Sequence, residues 1–252
     1  MSDHGYDEGL AAYYDAMAAE HADDADRVFY LDRATEADGP ALELAVGTGR
    51  IYLDVLAAGV DADGVDASPA MLSALRDRAA ERDLDPTVWE GDMRHLETDR
   101  AYDLIYCPFN ALQHANTVDD QQATFEAVYD ALAPGGRFVF DVFVPGFDVI
   151  EATYGEWQTE TIEIDGVEHE LRTRTRFVDE PRQIVEVANE LYAPDGEVLH
   201  ETSHRISHLP YQQMELLARD SPFESWTVAG DFGGKALEDG DTVQVWTLER
   251  EA

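Results

Sequence analysis

Ala41-Leu42-Glu43-Leu44-Ala45-Val46-Gly47-Thr48-Gly49-Arg50 carries an apolar run with one carboxylate into a glycine turn, and an amphipathic helix pattern follows it. Glycine at 47 and 49 permits positive φ and a close backbone approach to a ligand, and the free N–H groups of the next helix suit an anionic group. This predicts a strand, a binding turn and a helix, the opening of a nucleotide-type cofactor site. Asp61 to Asp66 reads as a second strand ending in a carboxylate. Asp66 lies 17 residues past Gly49, which suits an acid gripping ribose hydroxyls, expected about 20 residues on in a βαβ unit.

The dinucleotide pattern of three glycines fails, because Tyr52 stands where the third glycine should admit close helix packing. Glu43 also sets a negative charge beside the place where a pyrophosphate would lie. Both features favour a cationic cofactor. The run Glu43-Leu44-Ala45-Val46-Gly47-Thr48-Gly49 resembles the first motif of the class I S-adenosylmethionine-dependent methyltransferases, with Ala45 in place of the usual first glycine. Further stations of that family follow in order. Glu90-Gly91-Asp92-Met93 matches the segment that meets the adenine, with Asp92 toward its amino group and Met93 against its ring. Tyr102 to Asn110 resembles the fourth strand and the loop beside the reactive methyl, and Leu132-Ala133-Pro134-Gly135-Gly136 the turn into the fifth strand.

The resemblance implies an α/β fold, a doubly wound Rossmann-like sheet with parallel strands and ligands at their carboxyl ends. It implies S-adenosyl-L-methionine as cofactor, S-adenosyl-L-homocysteine as product, and an enzyme of EC 2.1.1 class transferring a methyl to a nitrogen or oxygen of a small molecule. The cofactor-binding residues it marks are Tyr14, Glu43, Ala45, Gly47, Gly49, Arg50, Asp66, Ala67, Asp92, Met93, Phe109 and Asn110. Phe109, Asn110, Gln113 and His114 are expected near the methyl. His114 is the candidate catalytic base, given an ordinary pKa near 6.5. The alternatives are a catalytically silent S-adenosylmethionine-binding protein and an NAD(P)-dependent oxidoreductase.

Local signals place the helices. Leu10, Tyr13, Tyr14 and Met17 form one apolar stripe and Val28, Phe29 and Leu31 the next, two helices expected to cap the cleft. Ser68-Pro69 supplies an N-cap and a first-turn proline, and Thr117-Val118-Asp119-Asp120 opens another helix. Beyond Pro145 the pattern changes to period-two runs at Trp157–Ile164, Val167–Val178, Gln183–Tyr192 and Glu197–His208. Turns at Asp165-Gly166, Glu180-Pro181 and Pro194-Asp195-Gly196 join them into an antiparallel sheet. The organisation predicted is a cofactor-binding core with helical cap over 1–145, an inserted antiparallel sheet over 150–209 and a final helix and strands over 210–252 that complete the main sheet. By fold analogy the insert roofs the acceptor pocket; a homodimer interface is its other use.

Composition bounds the partners. The formal net charge is −37, with 54 acidic residues against 17 basic ones of which Lys235 is the single lysine. Such a surface repels nucleic-acid backbones and polyphosphates at long range. No metal site is expected: His200, His204 and His208 share a strand face, but successive ones stand roughly 13 Å apart. The one cysteine, Cys107, reads as a buried strand-end residue, which suits a reducing cytoplasm. No apolar run long enough to cross a membrane occurs, so no membrane partner is expected. The acid-rich, lysine-poor balance resembles proteins of halophilic, high-salt cytoplasms.

Overall fold

The computed structural model describes residues 25–164 and 166–252. The first expected helix, with Tyr13 and Tyr14, and Asp165 of the first expected hairpin turn lie outside the described residues. Strands β1 (Ala41–Leu44), β2 (Ala62–Asp66), β3 (Thr87–Glu90), β4 (Tyr102–Cys107) and β5 (Leu132–Phe143) alternate with helices α2 (Tyr52–Ala57), α3 (Pro69–Glu81) and α4 (Val118–Ala131), after an opening helix α1 (Ala25–Glu36). A short helix α5 (Phe147–Thr153) leads into β6 (Gln158–Ile164), β7 (Val167–Asp179), β8 (Ile184–Tyr192) and β9 (Val198–Ser207); α6 (Tyr211–Asp220), β10 (Ser225–Ala229) and β11 (Val243–Glu249) close the chain.

The main sheet runs β10-β11-β5-β4-β1-β2-β3. β1 to β5 pair in parallel, whereas β11 is antiparallel to β5 and β10 to β11. The doubly wound expectation therefore holds for five strands. The antiparallel pair β10/β11 covers the β5 edge. The order reverses between β1 and β4, where Glu43 pairs with Tyr106 across the strands. That switch point is where an open α/β sheet forms its ligand crevice.

Strand alternation divides the core. Leu42 and Leu44 of β1 face a cluster with Phe125, Phe138, Phe140, Met214 and Trp246. Ala41 faces the other side, with Tyr30, Ile51, Tyr52 and Leu75. The helix starts are fixed by the residues that signalled them: Ser68 Oγ accepts from Met71 N at 3.3 Å with Pro69 in the first turn, and Thr117 and Asp120 form a reciprocal capping box. Tyr52 fits in place of a third glycine because its ring is buried and its hydroxyl donates to the Ala62 carbonyl (3.0 Å) while accepting from Thr87 N (3.0 Å).

Two expectations need correcting. The stripe of α1 that packs inward is Tyr30 and Ala34, supported by Phe29 and Leu31, while Val28 is 53% exposed. Tyr30 outcompetes it because its hydroxyl finds a buried acceptor, described below. The segment after Pro145 is not strand throughout, since α5 intervenes before β6.

The second sheet is an antiparallel meander, β6-β7-β8-β9. Its attachment to the core is polar. Gln113 Nε2 donates to the carbonyls of Phe143 (3.1 Å) and Ser207 (2.8 Å), and Gln113 Oε1 accepts from Phe143 N (3.2 Å). Gln113 is thus a buried clamp between β5 and β9, which removes it from the neighbourhood of a reacting methyl. Among the described residues no helix is long and apolar enough to cross a membrane.

Candidate functional site

The carboxyl ends of the parallel strands and one face of the meander enclose a cleft of about 690 Å³. Every sequence-predicted site residue lines it except Gly49, Gln113 and Tyr14, the last outside the described residues.

The floor is the turn after β1. Ala45, Gly47 and Gly49 all have positive φ, at 52°, 56° and 84°. Ala45 adopts this conformation at a steric cost that the family's usual glycine avoids. A Cβ on Gly47 would meet nothing closer than 3.9 Å, whereas one on Gly49 would strike Leu75 and Leu53 side chains at 2.9 and 3.0 Å. Gly49 is therefore needed for helix packing behind the turn, and Gly47 for the open face in front. Asp66 ties this turn to the start of the next helix: its carboxylate accepts from Gly47 N and Ser68 N, each at 2.8 Å.

Glu43 lines the cleft from β1, 3% exposed, with Oε2 lacking a hydrogen-bond partner. Burial pushes its carboxyl up to about 8, and the neighbouring Tyr106 hydroxyl and Arg50 only partly oppose this. Arg50 pairs with Asp26 of α1 and stacks over Phe109, its guanidinium 5.5 Å from the ring centre. At the β3 side, Asp92 is held below the usual carboxylate range by Arg94, which also reaches Asp120 at 2.8 Å. Ala67 and Met93 complete this wall.

The loop after β4 is strained. Phe109 and Asn110 both adopt left-handed φ, 56° and 59°, a conformation that costs non-glycine residues roughly 1–2 kcal/mol each. Asp141 of β5 holds them there, accepting from Phe109 N and Asn110 N at 2.9 Å and from the Tyr30 hydroxyl at 2.6 Å. Burial raises Asp141 to about 6 despite these three donors. Both oxygens accept, so the amide of Asp141→Asn must point a donor at a donor. We expect that variant to lose hydrogen-exchange protection at the Phe109 and Asn110 amides by about tenfold or more. It keeps its thermal stability at pH 8, because the buried charge is gone. Unchanged exchange at both amides would show that Asp141 does not hold the turn.

The opposite wall comes from the meander and the residues around it. His114 ends a single 3-10 turn (Ala111–His114), its ring centre 5.3 Å from that of His204. Burial lowers His204 to about 4 and also lowers His208, so both are neutral at pH 7. Tyr154 Oη lies 2.9 Å from His208 Nε2. Thr173, Thr175 and Asn189 supply the remaining polar groups of this wall. Among the described residues no group of three His, Cys, Asp or Glu side chains is placed to hold a metal. Cys107 is buried, and burial raises its thiol well above the ordinary value.

Sequence reading missed Asp141, Tyr30, Tyr154 and the wall residues of β7 and β8. Asp141 carried one faint signal, a lone carboxylate in the apolar run Phe138 to Phe143.

The fold is Rossmann-like with a cleft at its switch point, and residues 41–136 match the family described as a methyltransferase domain. Across nearly its whole length the chain superposes on an S-adenosylmethionine-dependent methyltransferase from Clostridium acetobutylicum, with a TM-score of 0.79, 20% identity and coverage of 96% of this chain and 98% of that one. It superposes also on the S-adenosylmethionine-bound amino pentose methyltransferase CalS10 from Micromonospora echinaspora (TM-score 0.71, 18% identity, 94% and 96% covered). In sequence it is 28% identical over 137 residues to Bacillus subtilis YqeM, provisionally named a methyltransferase. That match covers 54% of each chain, so it spans about half the length of the relative.

Proposed function

We propose that the protein is an S-adenosyl-L-methionine-dependent methyltransferase (EC 2.1.1 class) that methylates a nitrogen or oxygen of a small molecule and leaves S-adenosyl-L-homocysteine. The observation that carries this reading is the convergence of Glu43, Gly47, Asp66, Asp92 and the Phe109–Asn110 turn on one cleft at the strand switch point. The residues fit the group: an unpartnered buried carboxyl oxygen suits a cationic ligand, an open glycine suits close backbone contacts, and Asp66 and Asp92 offer the same cleft two further carboxylates suited to ribose hydroxyls and an adenine amino group. When bound, the cofactor supplies an electrophilic methyl.

The chain's own residues position and desolvate. Asp66 receives the ribose hydroxyls, Asp92 and Met93 the adenine, and Phe109 and Asn110 border the methyl. The acceptor enters against the meander wall, where His114 takes the proton from its hydroxyl or ammonium. The two arginines of the cleft already serve carboxylates, Arg50 on Asp26 and Arg94 on Asp92 and Asp120. An acceptor without phosphate suits this lining best. The amino pentose substrate class of CalS10 supports a polyhydroxylated amine.

The test is calorimetric titration in multimolar potassium chloride with S-adenosylmethionine, S-adenosylhomocysteine and NADH, followed by a screen of amines and hydroxy compounds. Micromolar binding of both adenosyl ligands, none of NADH and methyl transfer to a screened acceptor is the expected result. Binding without transfer to any acceptor favours a silent binding protein, and silence toward both adenosyl ligands in a folded sample overturns the reading. Asp66→Ala is expected to weaken S-adenosylmethionine binding by about 1.5–3 kcal/mol, roughly ten- to hundredfold, because a charged acceptor is lost. Undiminished affinity in a folded variant would put the ribose elsewhere.

A further inference from the structure

Glu43 sits where a charge has almost nothing to stabilise it. It is 3% exposed, its Oε2 has no hydrogen-bond partner of good geometry, and the one neutral donor beside it is the buried Tyr106 hydroxyl across the β1/β4 pair, which only partly offsets burial. Among the described residues the ionisable groups that act on it are Tyr106 and Cys107 from β4, Tyr52 from α2, Asp66 from β2, Asp26 from α1 and Arg50 from the turn before α2. The phenols and the thiol are neutral, each raised by burial. The two carboxylates repel an additional negative charge. The only cation of the set, Arg50, is held by Asp26 and by the face of Phe109. A buried carboxyl in such a place takes up a proton rather than remain an uncompensated ion.

We propose that Glu43 is neutral in the ligand-free protein and ionises when a cationic adenosyl ligand enters the cleft, its O–H bond breaking and the proton passing to solvent. This rests on the cofactor reading above. The step balances in charge: one positive charge arrives, one proton leaves, and the carboxylate stays opposite the ligand. Glu43 then acts as a specificity-determining residue, since a neutral or anionic ligand at the same spot leaves it protonated and gains no ion pair. The position of its carboxyl group near 8 places the exchange within the working pH range.

The experiment is calorimetric titration of the wild-type chain with S-adenosylmethionine at pH 7, in multimolar potassium chloride, in phosphate, HEPES and Tris. The dependence of the apparent enthalpy on buffer ionisation counts the protons. Close to one proton is released per ligand, and affinity rises about tenfold per pH unit from pH 6 toward 8, then levels. Glu43→Gln, whose amide mimics the protonated acid, binds without releasing a proton and with a flat profile over the same range. The ligand's own amino group, with a pKa near 8, is largely protonated at pH 7 and so adds little to the proton count. Binding to wild type with no proton release overturns this inference and leaves the cofactor reading standing. Equal release from both proteins places the proton on another group and also overturns it. No binding to the folded wild type removes the cofactor reading and this inference with it.

Discussion

Replacing Glu43 by glutamine is expected to stabilise the ligand-free protein, by several kcal/mol at pH 8.5 and hardly at all at pH 4.5. The carboxyl is raised from an ordinary 4.5 to about 8 by burial. A raised carboxyl means that the folded chain holds its proton more tightly than the unfolded chain. Stability from this group is therefore fully present below pH 4.5 and drains away as pH climbs through 8. At about 1.36 kcal/mol per pH unit the window corresponds to a ceiling of roughly 5 kcal/mol, which water entry and relaxation reduce. Glutamine keeps the shape and removes the titration. For a chain of this length each kcal/mol moves the midpoint by about 2–4 °C, so a rise on the order of 10 °C is expected at pH 8.5. Thermal unfolding of both proteins at the two pH values in concentrated potassium chloride makes the comparison. A variant that is less stable at pH 8.5, or one whose advantage is the same at both, would show that Glu43 is not held neutral. Such a gain, at the expense of a charged contact in the cleft, is the usual exchange of function for stability at a binding site.

Dilution of salt should have an equally large effect in the opposite direction. The chain carries 54 acidic residues against 17 basic ones, and its arginines are already engaged: Arg94 spans Asp92 and Asp120, and Arg100 spans Asp61 and Asp63. Most carboxylates have no cation left to meet. At 1 M salt the screening length is about 3 Å and the surplus charge is muted, whereas at 0.1 M it is about 10 Å and neighbouring carboxylates repel one another across the surface. We expect circular dichroism to show partial loss of helix and a midpoint lowered by more than about 10 °C on passing from multimolar to 0.1 M potassium chloride. Identical melting in both would mean that the acidic surface is neutral to stability.

The parts of the fold that were legible from sequence are those whose cause is local. Ser68-Pro69 and Thr117 to Asp120 carry their capping chemistry within four residues, and the structure starts helices there. The turn residues between β6 and β9 announce a meander because reversal is decided by neighbours in the chain. The floor of the cleft was legible for the same reason: Glu43, Gly47 and Asp66 line it from the ends of strands whose pattern is plain. What escaped was assembled over distance. Asp141 meets Phe109 and Tyr30 across 32 and 111 residues, and nothing at position 141 announces either partner. Tyr154 and His208, 54 residues apart, meet only because the meander returns to its origin. Val28 was misread because one apolar side chain looks much like another until the sheet decides which face of the helix is inside.

Helix α1 is fastened at three places: Arg27 to Asp54, Asp26 to Arg50, and Tyr30 to Asp141. The last of these makes a single carboxylate the common post for a surface helix and for the strained turn that carries Phe109. Ligand exchange that displaces the helix by even an ångström must pull on the same oxygen that accepts from the Phe109 amide. On the proposed reading, entry of one substrate and alignment of the other are two loads on one bracket.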